Sequence, residues 1–151
     1  MKFREIRLAG LKTDPQAFGG NLTEESERKE PEWRKRLESD DRFFFVVEKG
    51  DAFVAVAGAK KIGEKAWMLV AVHTLPQARG RGFAQKLTNE VIGECVRRGA
   101  DKIELMVNVD QKDAAHVYEK TGFRIVKTLK GEKMGDGQLH DEFLMEKHLK
   151  A

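Results

Sequence analysis

Arg79-Gly80-Arg81-Gly82 is the segment of this 151-residue chain whose residue types best suit chemistry. It lies between a strand-like apolar run, residues 67–72, and an amphipathic helical pattern over residues 82–98. Two glycines let the backbone approach an anion closely, and unpaired N–H groups of a first helical turn point at it. The guanidinium groups of Arg79 and Arg81 add charge and paired donors that suit phosphate oxygens. The implied chemistry is binding of a phosphate-bearing molecule. A dinucleotide fingerprint would need a third glycine where Gln85 stands, and no Gly-Lys-Ser/Thr follows to make a P-loop.

Other reactive side chains are few. Tyr118 is the only tyrosine, and a phenol stays protonated at neutral pH and can donate a proton. The competing reading packs it on an amphipathic helix with Val117 and Phe123. His73 titrates near neutrality and Glu142 offers a carboxylate, so each is a candidate base, while a strand-end histidine is also commonly just solvated. The single cysteine, Cys95, has no partner for an internal disulfide and falls on an apolar helical stripe, which reads as core. No metal site is expected.

The elements that must position these groups can be read along the chain. Phe3, Ile6, Leu8 and Leu11 suggest a first helix stopped by Asp14-Pro15. Asn21 followed by Glu24 resembles a capping box, and Pro31 suits the first turn of a helix carrying Trp33 and Leu37. Strands follow over residues 43–48, 52–60 and 66–72, with turns at Lys49-Gly50-Asp51 and residues 62–65. Ala84, Leu87, Val91, Ile92 and Cys95 give the helix after the glycine loop its apolar face, with Gly99 as its stop. A strand over residues 103–109 comes next, then a short helix capped by Asp113. Two strands, residues 123–129 and 139–146, close the chain around a glycine-rich connection at residues 131–138. The order predicts an α+β fold with a mixed, mostly antiparallel sheet, and a parallel strand–helix–strand crossover at the glycine loop.

Composition sets the frame. One domain over residues 1–151 is expected, long enough to bury a core. Hydrophobic residues make up 40% and charged residues 35%, no apolar run approaches a bilayer span, and the first residues hold no apolar leader, so the expected place is the cytoplasm. The net charge is +3, but basic and acidic residues interleave. Residues 24–38 read as a solvated helical face, and without a basic stripe no nucleic-acid partner is expected.

Two motifs carry a resemblance. Residues 72–84, with Gln77, Gly80 and Gly82 in the three fixed places of Q/R-x-x-G-x-G/A, look like the acetyl-CoA loop of the GNAT superfamily of N-acetyltransferases. Residues 114–123 are similar to that family's A-x-x-L-Y-x-K-x-G-F segment, with Val117 in place of Leu. Together with the element order, the resemblance covers residues 43–146.

It implies acetyl-CoA as donor and a primary amine as acceptor, preferably of a small molecule, with a protein N-terminus or lysine as alternative. Backbone N–H groups of Arg79, Gly80, Arg81, Gly82, Phe83 and Ala84 would hold the pyrophosphate. Backbone groups at Val70, Val72 and Thr74, on a strand splayed from its parallel neighbour, would hold the pantetheine arm and polarise the thioester. Tyr118 would protonate the departing thiolate. Gln111 stands where the family often has Asn and would keep a cofactor contact. The acceptor pocket would come from residues 14–25 and 131–141, where Glu24, Glu25, Asp136 and Asp141 could attract a cationic amine. A homodimer is among the expected assemblies.

Two departures from the family pattern stand out. The glutamate that several members carry on the strand before the loop is replaced by Ala66, which leaves His73, Glu142 or a water chain as base. It also leaves a non-catalytic acyl-CoA-binding module as the alternative function. The first helix begins almost at Met1, so an edge strand is missing or the native start lies upstream.

Overall fold

The structure, a computed structural model, describes residues 1–149. Helix α1, Lys2–Thr13, buries Phe3, Ile6 and Leu11 on one side. Asn21 caps α2, Leu22–Ser26, by accepting the Glu24 N–H at 3.1 Å. Helix α3, Glu30–Leu37, has Pro31 in its first turn and buries Trp33.

Strands β1 (Arg42–Lys49), β2 (Ala52–Gly63), β3 (Ala66–Thr74), β4 (Lys102–Asn108), β5 (Arg124–Lys133) and β6 (Leu139–His148) make one sheet, ordered β1-β2-β3-β4-β6-β5. All its pairings are antiparallel except β3 with β4. Helix α4, Phe83–Arg97, makes the crossover between those two, and α5, Lys112–Lys120, connects β4 to β5. The mixed α+β sheet with one parallel crossover is the architecture that the sequence implies.

Leu87, Val91 and Cys95 of α4 pack with Trp67, Leu69, Ile103 and Leu105 on one face of the sheet. On the other face Phe3 meets Phe44 edge-on, with ring centroids 4.6 Å apart, and lies 6.1 Å from Trp33. Side chains alternate between faces along each strand, so Phe44, Met68 and Met106 turn away from the α4 core.

The functional consequence lies between β3 and β4. Ala66, Trp67 and Met68 pair with Lys102, Ile103 and Glu104, and then the strands part. Beyond the fork β3 stays on β2, while β4 stays on β6 as far as Asn108 opposite Glu142. The β2–β3 register shifts at the same level, because Val56 faces His73 whereas Gly58 faces Val70. Ala71 has φ 59°, the one positive φ outside glycine among the described residues. Such a conformation costs an alanine on the order of 1–3 kcal/mol and occurs mostly where structure over-determines it. The bulge bends β3 and opens the fork.

Local expectations are corrected in three places. Helix α5 begins at Lys112 with Gln111 as its cap residue, so Asp113 lies inside the first turn rather than capping it. Asn108 makes that turn instead, its Oδ1 accepting the Asp110 N–H at 2.9 Å and its carbonyl the Gln111 N–H at 2.9 Å. Strand β5 runs on to Lys133, absorbing Gly131 at a register shift after Leu129, so the connection to β6 is shorter than the glycines suggest. The stretch over residues 24–38 is not uniformly solvated. Glu25 is buried at 3% exposure, because Arg7 on α1 reaches it with two hydrogen bonds, at 3.0 and 3.1 Å.

Candidate active site

The open fork forms a cleft of about 680 Å³. Val70, Val72 and Thr74 line one wall, Leu105 and Val107 the other, and α5 adds Tyr118. The glycine loop closes one end. Of the residues singled out in the sequence, His73, Arg79, Gly80, Gly82, Phe83, Ala84 and Gln111 also border this cleft. Arg81, exposed, does not, and Glu142 lies elsewhere.

Gly80 and Gly82 hold φ values of 80° and 77°. A Cβ added at either would meet nothing within 4 Å, so the requirement for glycine there is conformational and leaves open space above the loop. Gly82 caps α4, whose Lys86 N–H donates to the Gly82 carbonyl at 3.0 Å. The N–H groups of Phe83, Ala84 and Gln85 therefore have no carbonyl inside the helix and are free to bind an anion. Arg79 is committed elsewhere than expected. Its Nε donates to the Thr74 carbonyl at 3.0 Å and its Nη2 to Asp14 Oδ2 at 2.7 Å, which braces the loop against the end of β3.

Tyr118 is buried, with its ring edge-on to Phe123 at 6.2 Å. Burial pushes its phenol well above the ordinary value, so it remains a proton donor throughout the neutral range. The same side chain packs in the core and borders the cleft. His73 is buried beside Phe18, with Nδ1 3.8 Å from Asp14 Oδ2 and Nε2 unpartnered among the described residues. Burial lowers its pKa, with Asp14 opposing and Arg79 and Arg7 adding to the depression, so the ring is neutral at pH 7. It is neither the solvated strand-end histidine nor a protonated one.

A second cleft, about 390 Å³, opens on the α1 and α3 side of the sheet. It meets the first at Phe18, Val70, Ala71 and Met106, so the fork is reached from both sides. Residues 17–20 and 132–134 border it, and the Gly135 N–H donates to the Phe18 carbonyl at 2.7 Å, joining the two expected acceptor segments. Glu142 lines this cleft and is buried at 6% exposure. Burial raises its pKa, Glu132 raises it further, and His140 acts in the opposite direction.

The acids expected to attract an amine do not border either cleft. Asp136 is engaged by the Gln138 N–H and by His140 at 2.7 Å, Asp141 by the Gly131 N–H at 3.1 Å, and Glu25 by Arg7. Glu24 is exposed on α2. Ala66, at the closed end of the fork, borders neither cleft. Two features leave no mark in the sequence: the bulge at Ala71, which an alanine does not announce, and the cations of the second cleft, Arg7, Arg36, Arg42, Lys60 and Lys133, scattered over five elements.

A family profile described as Acetyltransferase (GNAT) family matches residues 11–123. The mycothiol acetyltransferase of Corynebacterium urealyticum is 39% identical over 66 residues, which are 44% of this chain and only 20% of that protein. An acetyltransferase of Yersinia enterocolitica is 30% identical over 96 residues, 63% of this chain and 67% of its own. A ribosomal-protein-alanine N-acetyltransferase from Brucella melitensis superposes with TM-score 0.82 at 20% identity, covering 97% of this chain and 92% of that one. The Salmonella typhimurium protein yncA, solved with its cofactor acetyl-CoA, gives 0.81 at 17% identity, covering 99% and 87%. A spermidine N-acetyltransferase from Vibrio cholerae, solved with CoA and spermine, gives 0.72 at 22% identity, covering 96% and 83%. At these identities the structural likeness establishes the fold.

Proposed function

The chain belongs to the acetyltransferase (GNAT) family, whose chemistry is acetyl transfer from acetyl-CoA, and on that premise we propose that it acetylates a primary amine of a small molecule by direct attack. The observation that carries this reading is the pair of clefts meeting at the fork. Donor and acceptor can enter from opposite sides and touch where Val70, Ala71 and Met106 line both clefts. No acyl-enzyme is needed. The only cysteine, Cys95, is buried in the α4 core with its thiol pushed up to about 12.

The donor cleft fits acetyl-CoA, which supplies an acetyl group activated as a thioester. The free N–H groups of Phe83, Ala84 and Gln85 and the open backbone at Gly80 and Gly82 accept the pyrophosphate, with the α4 dipole assisting. Unpaired backbone groups on β3 beyond Met68 hold the pantetheine arm and the thioester carbonyl. Tyr118 donates its proton to the thiolate released as the nitrogen–carbon bond forms and the carbon–sulfur bond breaks.

Glu142 takes the amine proton. It faces the acceptor cleft, and its raised pKa makes it a stronger base than an ordinary carboxylate. His73 lines the donor side, where it packs between α1 and Phe18.

The absence of a carboxylate at Ala66 favours a second reading, an acyl-CoA-binding module without turnover. Release of free thiol from acetyl-CoA in the presence of small amines, amino acids and peptides tests the choice. Amine-dependent release supports transfer, and CoA binding without release on any amine supports the module.

A further inference from the structure

The acceptor cleft has a charge pattern that bears on which amine it takes. Arg36, Arg42 and Lys60 border it on the β1–β2 side and Arg7 on the α1 side, while the β5–β6 side contributes both acids, Glu132 and Glu142, together with Lys133, so the cations outnumber the acids. Arg42 and Lys60 are direct cross-strand partners. Like charges in that relation repel, and neither side chain is in an ion pair among the described residues.

Behind them the imbalance continues. Glu25 is shared by Arg7 at 3.0 Å, Arg28 at 3.5 Å and Arg36 at 3.9 Å, so one carboxylate serves three guanidinium groups. A Cβ on Gly20 would collide with Glu25 Oε2, so a glycine is needed for this carboxylate to sit against the chain and hold Arg7. Burial lowers the Arg36 pKa, Arg28 and Arg42 lower it further, and Glu25 offsets them only in part. Trp33, 1% exposed, borders the cleft with Arg28 and Arg36 over its ring at 5.7 and 5.9 Å. Its Nε1 is a buried donor without a hydrogen-bond partner, whereas Arg28, which does not border the cleft, has Nη1 within 3.5 Å of Glu25. An unpaired buried donor and repelling cations are costly unless something supplies an acceptor and negative charge.

We propose that the acceptor is an amine that also carries an anionic group, a carboxylate or a phosphate, held with its anion on Arg36, Arg42 and Lys60 and its amine toward Glu142. This rests on the amine-acetylation reading above. The same field that attracts the anion repels a polyamine, so polycationic amines are disfavoured even though their acetylation is known for the Vibrio cholerae neighbour.

Matched amines that differ only in the anionic group test it: β-alanine against ethylamine, phenylalanine against phenethylamine, phosphoethanolamine against ethanolamine, with spermidine alongside. A charge-assisted hydrogen bond contributes about 1.5–3 kcal/mol, so the member of a pair that carries the anionic group is expected to show kcat/KM roughly tenfold or more above the member that lacks it. The carboxylate and phosphate pairs identify which anion is preferred. Arg42→Gln and Lys60→Gln, each checked for an unchanged melting curve, are expected to erase the difference through KM. Equal or better use of the amines that lack an anionic group, or of spermidine, overturns the proposal. If no amine is consumed, the amine-acetylation reading fails, and calorimetry with β-alanine and phosphoethanolamine decides the anion separately. Binding by the native protein that is lost in Arg42→Gln upholds the anion site, and no binding by the native protein overturns it.

Discussion

Arg79 donates from Nη2 to Asp14 Oδ2 at 2.7 Å, linking the glycine loop to the residue that ends α1. The same carboxylate oxygen lies 3.8 Å from His73 Nδ1. An arginine whose sequence position suggests a phosphate ligand thus acts as a brace, which leaves the proposed anion contacts to the backbone of the loop.

Asp14→Ala releases this brace. Arg79 is half exposed, so the pair contributes about 0.2–1 kcal/mol, a melting shift of no more than ~2–4 °C. The expected kinetic effect is a raised KM for acetyl-CoA with kcat little changed, measured by steady-state thiol release. A loss confined to kcat contradicts a bracing role.

Gly82→Ala places a side chain on a backbone with φ 77°, at a cost of about 1–2 kcal/mol even though the added Cβ meets no atom. The loop relieves that strain by moving, which misaligns the N–H groups of α4. Calorimetric affinity for CoA is expected to fall by roughly tenfold, the equivalent of ~1.4 kcal/mol. An unchanged affinity removes the loop from the donor site.

Tyr118→Phe deletes one hydroxyl and keeps the ring that packs on Phe123. A general acid contributes roughly 10²–10⁴-fold, so kcat is expected to fall by at least ~10² while CoA affinity and melting temperature stay close to native. Native turnover in this variant would assign the tyrosine to packing alone.

The two candidate bases separate by pH. Glu142 works ionised, so kcat/KM is expected to rise with pH through a value above the ordinary carboxylate range, and Glu142→Gln removes that limb. Stability moves the other way in the same window, because the folded state binds more protons than the unfolded chain and loses stability as pH rises. For His73 the depressed pKa means that the unfolded chain binds more protons. Stability is therefore full above the usual imidazole value and is lost as pH falls below it. A rate limb that survives Glu142→Gln and disappears in His73→Phe reverses the assignment.

Much of this was legible in the chain itself, for a physical reason. Glycines at positive φ, a helix start and an apolar alternation are local demands, so the loop at Gly80 and Gly82, α4 and the order of the strands could be read from spacing. The position of Tyr118 at the cleft was legible by its motif. The fate of charged side chains was not, because pairing depends on distant elements: Arg79 finds Asp14, and Glu25 finds Arg7, only once α1 has folded against the sheet. The bulge at Ala71 is imposed by the β2 register and leaves no mark on residue type.

Transfer across the fork is tested most directly by mass spectrometry of both products, with isotope-labelled acetyl-CoA and anionic primary amines. The expected result is one labelled N-acetyl group on the amine for each thiol released, with Tyr118→Phe slowing both together. Tight CoA binding with no labelled amine, or label retained on the protein, would contradict direct transfer.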